Sequence, residues 1–128
     1  MDQQALHEWL VSYGRAWISR DPAAAASLYS DDAMYQVTPF DEPIRGRDAI
    51  LEYWKGVART QERINFEFEI LAVTPEYGIA RWRASFIIVP QGLDTKLDGI
   101  FVIAFDSSGL CRSLREWWQK RQTPVGDS

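Results

Sequence analysis

The chain carries one cysteine and one histidine in 128 residues. A lone Cys111 cannot form an intrachain disulfide, and a lone His7 leaves no set of residues with metal-ligand spacing. No metal and no organic cofactor is expected. Dense runs of Lys or Arg are also missing, and the net charge is −4. A surface that tracks phosphates is therefore excluded as the expectation, and with it nucleic-acid binding. No apolar run approaches the length that spans a membrane, and Met1–Ala5 lacks the basic and apolar regions of a signal peptide. A cytoplasmic, reducing setting is the default. Cys111 also lacks a neighbouring histidine or basic pattern that would activate it as a nucleophile.

What the sequence has in quantity is aromatic surface: six Trp, six Phe and five Tyr. Rings in that number fill cores, interfaces or the walls of apolar sites. Leu6, Trp9, Leu10, Tyr13 and Trp17 recur at helical spacing, predicting a helix over 4–19 with one broad apolar stripe. Asp21-Pro22 pairs an N-cap with a first-turn proline, predicting a short helix over 23–29 that stops at Ser30-Asp31-Asp32. A strand follows over 33–38, then a loop from Pro39 to Pro43 bearing Phe40. A third helix runs from Gly46 to about Thr60, with Ile50, Tyr53, Trp54 and Val57 on one stripe.

Beyond that helix the period becomes two. Residues 64–70 alternate as a half-buried strand should, and residues 79–89 form a long second strand. The runs 96–105 and 110–118 flank Asp106-Ser107-Ser108-Gly109 and read as a hairpin. If Phe105 and Leu110 close it, Gly99 faces Glu116, Phe101 faces Leu114 and Leu97 faces Trp118. Opposed side chains lie roughly 5 Å apart, so one carboxylate stands among apolar residues with a glycine leaving it room. The polar tail over 120–128 is expected to fray. The whole chain, 1–128, reads as one α+β domain with three helices on one side of a curved, mostly antiparallel sheet.

Several segments in this order resemble a known family. They are the early aromatic helix, Leu28-Tyr29-Ser30-Asp31-Asp32-Ala33, Ile44-Arg45-Gly46-Arg47-Asp48-Ala49-Ile50, Phe105-Asp106-Ser107-Ser108-Gly109 and Arg115-Glu116-Trp117-Trp118. The chain resembles nuclear transport factor 2-like domains of the SnoaL-like, ketosteroid-isomerase-like branch across roughly residues 5–120. The resemblance implies a cone-shaped half-barrel around an apolar pocket, and a homodimer through the outer sheet face. It also implies which catalytic groups are kept. The aspartate base of ketosteroid isomerases corresponds to Val37 and their second aspartate to Phe101, while their helix-one tyrosine is matched by Tyr13. In limonene-epoxide-hydrolase-like members a first-strand tyrosine matches Tyr35 and a last-strand aspartate matches Glu116. Their asparagine falls on Val37, and their Arg and Asp fall near Trp82 and Ala84. Neither catalytic set is intact. SnoaL-type cyclases use an acid and a histidine in the cone, and this chain has no histidine beyond His7.

Glu116 is the leading candidate: buried among Trp82, Phe101 and Trp118, it would hold a raised pKa suited to acid–base work. A strand-end glutamate paired with an arginine is the plainer alternative. Tyr13 and Tyr35 are placed to orient Glu116 or bind a ligand oxygen, or simply to pack as buried tyrosines. Trp17, Val37, Phe40, Tyr53 and Trp54 are expected to wall a pocket, together with Trp82, Gly99, Phe101, Leu114 and Trp118. Asp98 shares the opposite face with Ile100, Val102, Arg115 and Trp117, where it should pair with Arg115 or Arg83 beside a dimer contact. The expected partner is a small apolar or amphipathic molecule. The expected function is ligand binding, with cofactor-independent isomerase, hydrolase or cyclase chemistry at Glu116. The alternative is a binding or dimerisation module without catalysis.

Overall fold

Asp2 accepts a hydrogen bond from the Ala5 backbone N–H at 2.7 Å and starts α1, Gln3–Ile18. Asp21 does the same for Ala24 at 3.1 Å, with Pro22 opening α2, Pro22–Ala26. These are the helix starts of a computed structural model, which describes residues 2–126. The chain continues through β1 (Tyr29–Gln36), β2 (Ile44–Arg45), α3 (Arg47–Thr60), β3 (Gln61–Val73), β4 (Gly78–Ile88), β5 (Leu93–Phe105) and β6 (Cys111–Pro124). The strands form one sheet in the order β2-β1-β6-β5-β4-β3, antiparallel throughout except that β1 runs parallel to β6. Among the described residues no helix is long and apolar enough to cross a membrane.

α1 lays Leu6, Trp9, Leu10, Tyr13 and Trp17 onto the inner face of the sheet, as its stripe requires. Gly14 faces Phe66 on β3, where an added Cβ would stand 2.6 Å from the ring. That absence of a side chain sets how closely helix and sheet approach. α3 buries Ile50 and Trp54 and packs half-buried Tyr53 and Val57 beside them.

Three expectations shift most, while the strand expected over 64–70 lengthens to β3 and the one expected to reach 38 ends at Gln36. The second helix ends at Ala26, and Tyr29–Asp32 belong to β1. Tertiary bonds decide this: the Leu28 carbonyl accepts from the Cys111 N–H and the Trp9 indole, and the Tyr29 carbonyl accepts from Arg47 Nε at 2.9 Å. The polar tail stays in β6 as far as Pro124, with Lys120 opposite Leu97 and Pro124 opposite Leu93. Buried Thr95 accepts from Gln122 Nε2 at 3.1 Å, tying the segment down. Asp127 and Ser128, also expected to fray, lie outside the described residues.

The third shift is the hairpin register. Phe101 faces Glu116, Gly99 faces Trp118 and Ile103 faces Leu114, two residues away from the expected pairing. Asp106 closes a longer loop, its Oδ1 accepting from Ser108 N and Leu110 N, so the hairpin closes at Phe105–Cys111. That one-residue slip alone would turn every following side chain over. A bulge at Arg112 adds the second residue and restores the faces. Glu116 therefore still points inward.

Candidate functional site

β6 carries Glu116 into the core between Leu114 and Trp118, leaving it 3% exposed. Its Oε2 accepts a 2.7 Å hydrogen bond from the Tyr35 hydroxyl on β1. Tyr35 arrives there because β1 runs beside β6 with Tyr35 in register with Leu114. Tyr13 and Tyr53 line the same cavity, the Tyr53 ring centroid 5.5 Å from that of Tyr35. Tyr35 gives its single proton to Glu116. Three tyrosines from α1, β1 and α3 thus converge on one carboxyl group.

Burial pushes the Glu116 carboxyl up from an ordinary 4.5 to about 8, and the Tyr35 hydrogen bond pulls partly against that rise. At neutral pH the group is mostly a neutral acid. Burial, followed by the nearby Glu116 charge, also raises Tyr13, Tyr35 and Tyr53, so all three remain protonated donors. The plainer reading of Glu116 as a solvent-reaching or arginine-paired residue does not hold.

A cavity of about 50 Å³ adjoins the carboxyl, lined by Tyr13, Trp17, Tyr35, Val37, Tyr53, Trp54, Val57, Gln61, Trp82, Leu97, Glu116 and Trp118. Its half-buried members, Val37, Tyr53, Val57, Gln61, Leu97 and Trp118, mark the side towards solvent. Two polar bonds tie the rim: Trp17 Nε1 to Gln61 Oε1 at 2.8 Å, and Trp118 Nε1 to the Val37 carbonyl at 2.7 Å. The volume admits a water or two, not a drug-sized ligand. A larger concavity of about 860 Å³ lies mainly over the outer face along Glu67, Arg83, Asp98 and Arg121. It is open and lacks any buried ionisable group, unlike the smaller one.

Trp54 and Trp82 are part of that lining, and their indole nitrogens are buried without an acceptor among the described residues. Each such donor carries a desolvation cost on the order of 1–3 kcal/mol.

Four residues expected at the pocket stand elsewhere. Phe40 is fully exposed on the loop between β1 and β2 and touches none of the cavity. Phe101 and Leu114 lie beneath it in the solid core, Phe101 stacked on Trp82 at 4.9 Å between centroids. Gly99 makes room for Trp118 rather than for Glu116. A Cβ there would stand 2.6 Å from Trp118 Cβ and closer still to the Trp117 carbonyl. Val57, Gln61 and Leu97 line the cavity without having been singled out for it. Val57 sat on the predicted helical stripe, whereas nothing in the sequence marks Gln61, whose place follows from the α3–β3 junction.

On the outer face Asp98 pairs with Arg81, not with Arg115 or Arg83. Arg81 Nε meets Oδ1 at 3.1 Å and Nη2 meets Oδ2 at 2.7 Å. Arg83 stands directly opposite Asp98 but its Nε turns to Glu67 at 3.4 Å, while Arg115 stacks over Tyr77 and Trp117. Burial raises the Cys111 thiol to about 12, which makes it inert.

Residues 10–113 match the SnoaL-like domain family. The chain belongs to that family. The SnoaL-like domain is also 32% identical over 99 residues to the steroid Delta-isomerase of Nocardioides simplex, covering 76% of each chain. Among solved structures it is similar to SalBIII, an epoxide hydrolase/cyclase-like enzyme in pyran ring formation in the polyether salinomycin. That match has a TM-score of 0.81 at 19% identity and covers 92% of this chain and 93% of that one. RV0760c from Mycobacterium tuberculosis superposes with a TM-score of 0.80 at 17% identity, covering 96% and 99%. The SnoaL-like domain thus has the cone-shaped α+β fold of nuclear transport factor 2-like proteins and is related to a steroid Delta-isomerase.

Proposed function

We propose that the inner cavity binds a small, mostly apolar molecule and that Glu116 exchanges a proton with it. The observation that carries this reading is the 2.7 Å Tyr35–Glu116 bond inside a ring of protonated tyrosines. A carboxyl group whose pKa stands at about 8 can give a proton at neutral pH and take one just above it. Isomerisation, epoxide opening and cyclisation each need such a group, and relatives of this domain bear names from all three chemistries. Glu116 faces Phe101, where the isomerase resemblance would put an acid, so the carboxyl enters the cone from the neighbouring strand. Tyr35 and Glu116 match the paired tyrosine and acid of the epoxide-hydrolase-like members. The chemistry asks for no cofactor.

Entry of a ligand requires the walls to move, since the cavity holds about 50 Å³. α3, with two buried side chains, is the wall that yields, releasing the Trp17–Gln61 bond. A homodimer through the outer face is part of the same proposal, supported by exposed Trp117 beside Ile100 and Val102. Sedimentation that gives a monomer at high concentration would count against it. The small cavity also supports a second reading, a binding module without turnover. Glu116→Gln separates the two. Assayed against ketone, epoxide and hydroxy-epoxide panels, the first reading expects turnover to fall at least 100-fold with fold and binding kept. Unchanged turnover would contradict it.

A further inference from the structure

The hydrogen-bond accounts of the inner cavity are uneven. Trp9 donates to the Leu28 carbonyl, Trp17 to Gln61 and Trp118 to the Val37 carbonyl, while Trp117 reaches solvent. Only Trp54 and Trp82 keep buried indole N–H groups with no acceptor among the described residues, and both line the cavity beside Glu116. An indole can only donate, so no change of tautomer or rotation of a hydroxyl can satisfy it in place. Buried indoles ordinarily find a partner, and phenylalanine would fill an apolar wall without leaving a donor unpaired. The third unpartnered group, the Tyr29 hydroxyl, belongs to a ring outside the cavity lining and offers a contrast.

The missing acceptor has constraints. No Lys or Arg lines the cavity, and its one ionisable acid is Glu116. A ligand anion would be buried without a counter-ion next to a carboxyl group, which is strongly unfavourable. A carbonyl or ether oxygen accepts from N–H groups and brings neither a charge nor a further donor to satisfy. The space of about 50 Å³ is closed off from the two indole nitrogens, so a ligand oxygen reaches them as the walls part.

We propose that Trp54 and Trp82 form the recognition site for an acceptor oxygen, the carbonyl or ether oxygen of a neutral and otherwise apolar ligand. This rests on the reading of the inner cavity as a ligand site but not on turnover by Glu116. The ligand is oriented with its oxygen at the indoles and its reacting position towards the carboxyl group.

The test uses the full chain labelled with ¹⁵N-tryptophan and two probes of like shape, cyclohexanone and methylenecyclohexane. The expected result is that cyclohexanone binds at least tenfold more tightly and moves the Trp54 and Trp82 indole signals downfield. The Trp9 and Trp117 signals should stay in place. Trp54→Phe and Trp82→Phe should each cut the preference for the ketone to below threefold. Should a variant not fold, contacts to the Tyr53 and Phe101 ring protons assign the two signals in the unaltered protein. Equal binding of both probes would overturn the inference and leave the ligand cavity standing. Ketone binding with the two signals unmoved would do the same. Binding of neither probe would overturn the inference and the ligand-site reading together.

Discussion

The two faces of one sheet treat a carboxylate in opposite ways. Inside, Glu116 on β6 is 3% exposed, meets one tyrosine hydroxyl and is driven up to about 8. Outside, Asp98 on β5 meets the fork of Arg81 near water and is lowered from an ordinary 3.8, chiefly by that hydrogen bond. A conspicuous acid in a strand is therefore not a site by itself. Desolvation without a counter-charge keeps Glu116 protonated at neutral pH, and a full counter-charge in solvent makes Asp98 a surface ion pair of little consequence for stability.

The largest break in this comparison comes from Glu116→Gln followed against pH. Between about 4.5 and 8 the folded chain keeps a proton that the unfolded chain has released. Stability of the unaltered protein should therefore fall as pH rises through that window, by up to about 1.4 kcal/mol per unit. The glutamine variant should match it near pH 4 and exceed it by several kcal/mol, on the order of 4, at pH 9. Chemical denaturation at both pH values checks this, and parallel curves would contradict it.

Gly99→Ala is next. Its Cβ would strike the Trp117–Trp118 backbone and should cost roughly 1–3 kcal/mol, seen as a lower denaturation midpoint. Tyr35→Phe removes the one donor that favours ionised Glu116. The Glu116 midpoint should move above 8 in a carboxyl titration, with a loss of about 1–2 kcal/mol in stability at pH 9. The smallest effect belongs to Asp98→Asn. Any stability from the Arg81 pair is present above the ordinary carboxylate range and lost as pH falls through the lowered pKa of Asp98. At neutral pH the melting temperature should change barely beyond experimental error, and a large drop would show the outer pair to be buried by a partner.

Side-chain parity was legible in the sequence because a strand alternates whatever its exact pairing. Glu116 inside and Asp98 outside follow from counting alone, and the aromatic stripe of α1 follows from helical spacing. The register itself was not legible. It depends on Asp106 capping a longer loop and on the bulge at Arg112, and two one-residue departures happened to cancel. Nor was the partner of Asp98, since Arg83 stands opposite but is drawn away by Glu67 across β3. The place of Phe40 was hidden for a different reason: the loop between β1 and β2 carries no period to say which way a ring turns. The tail from 120 onward is polar enough to predict fraying, yet buried Thr95 and the length of β5 hold residues 120–124 in the sheet.

The inner site depends on a carboxyl group kept neutral by burial, and the most direct measurement is the midpoint of Glu116 itself. Carbon-13 detection of glutamate side chains, with Glu116→Gln to identify the signal, should show one carboxyl group titrating near 8. A Glu116 signal that titrates near 4.5 would mean that water reaches the carboxyl group, and the reading of the inner cavity as an acid–base site would be wrong.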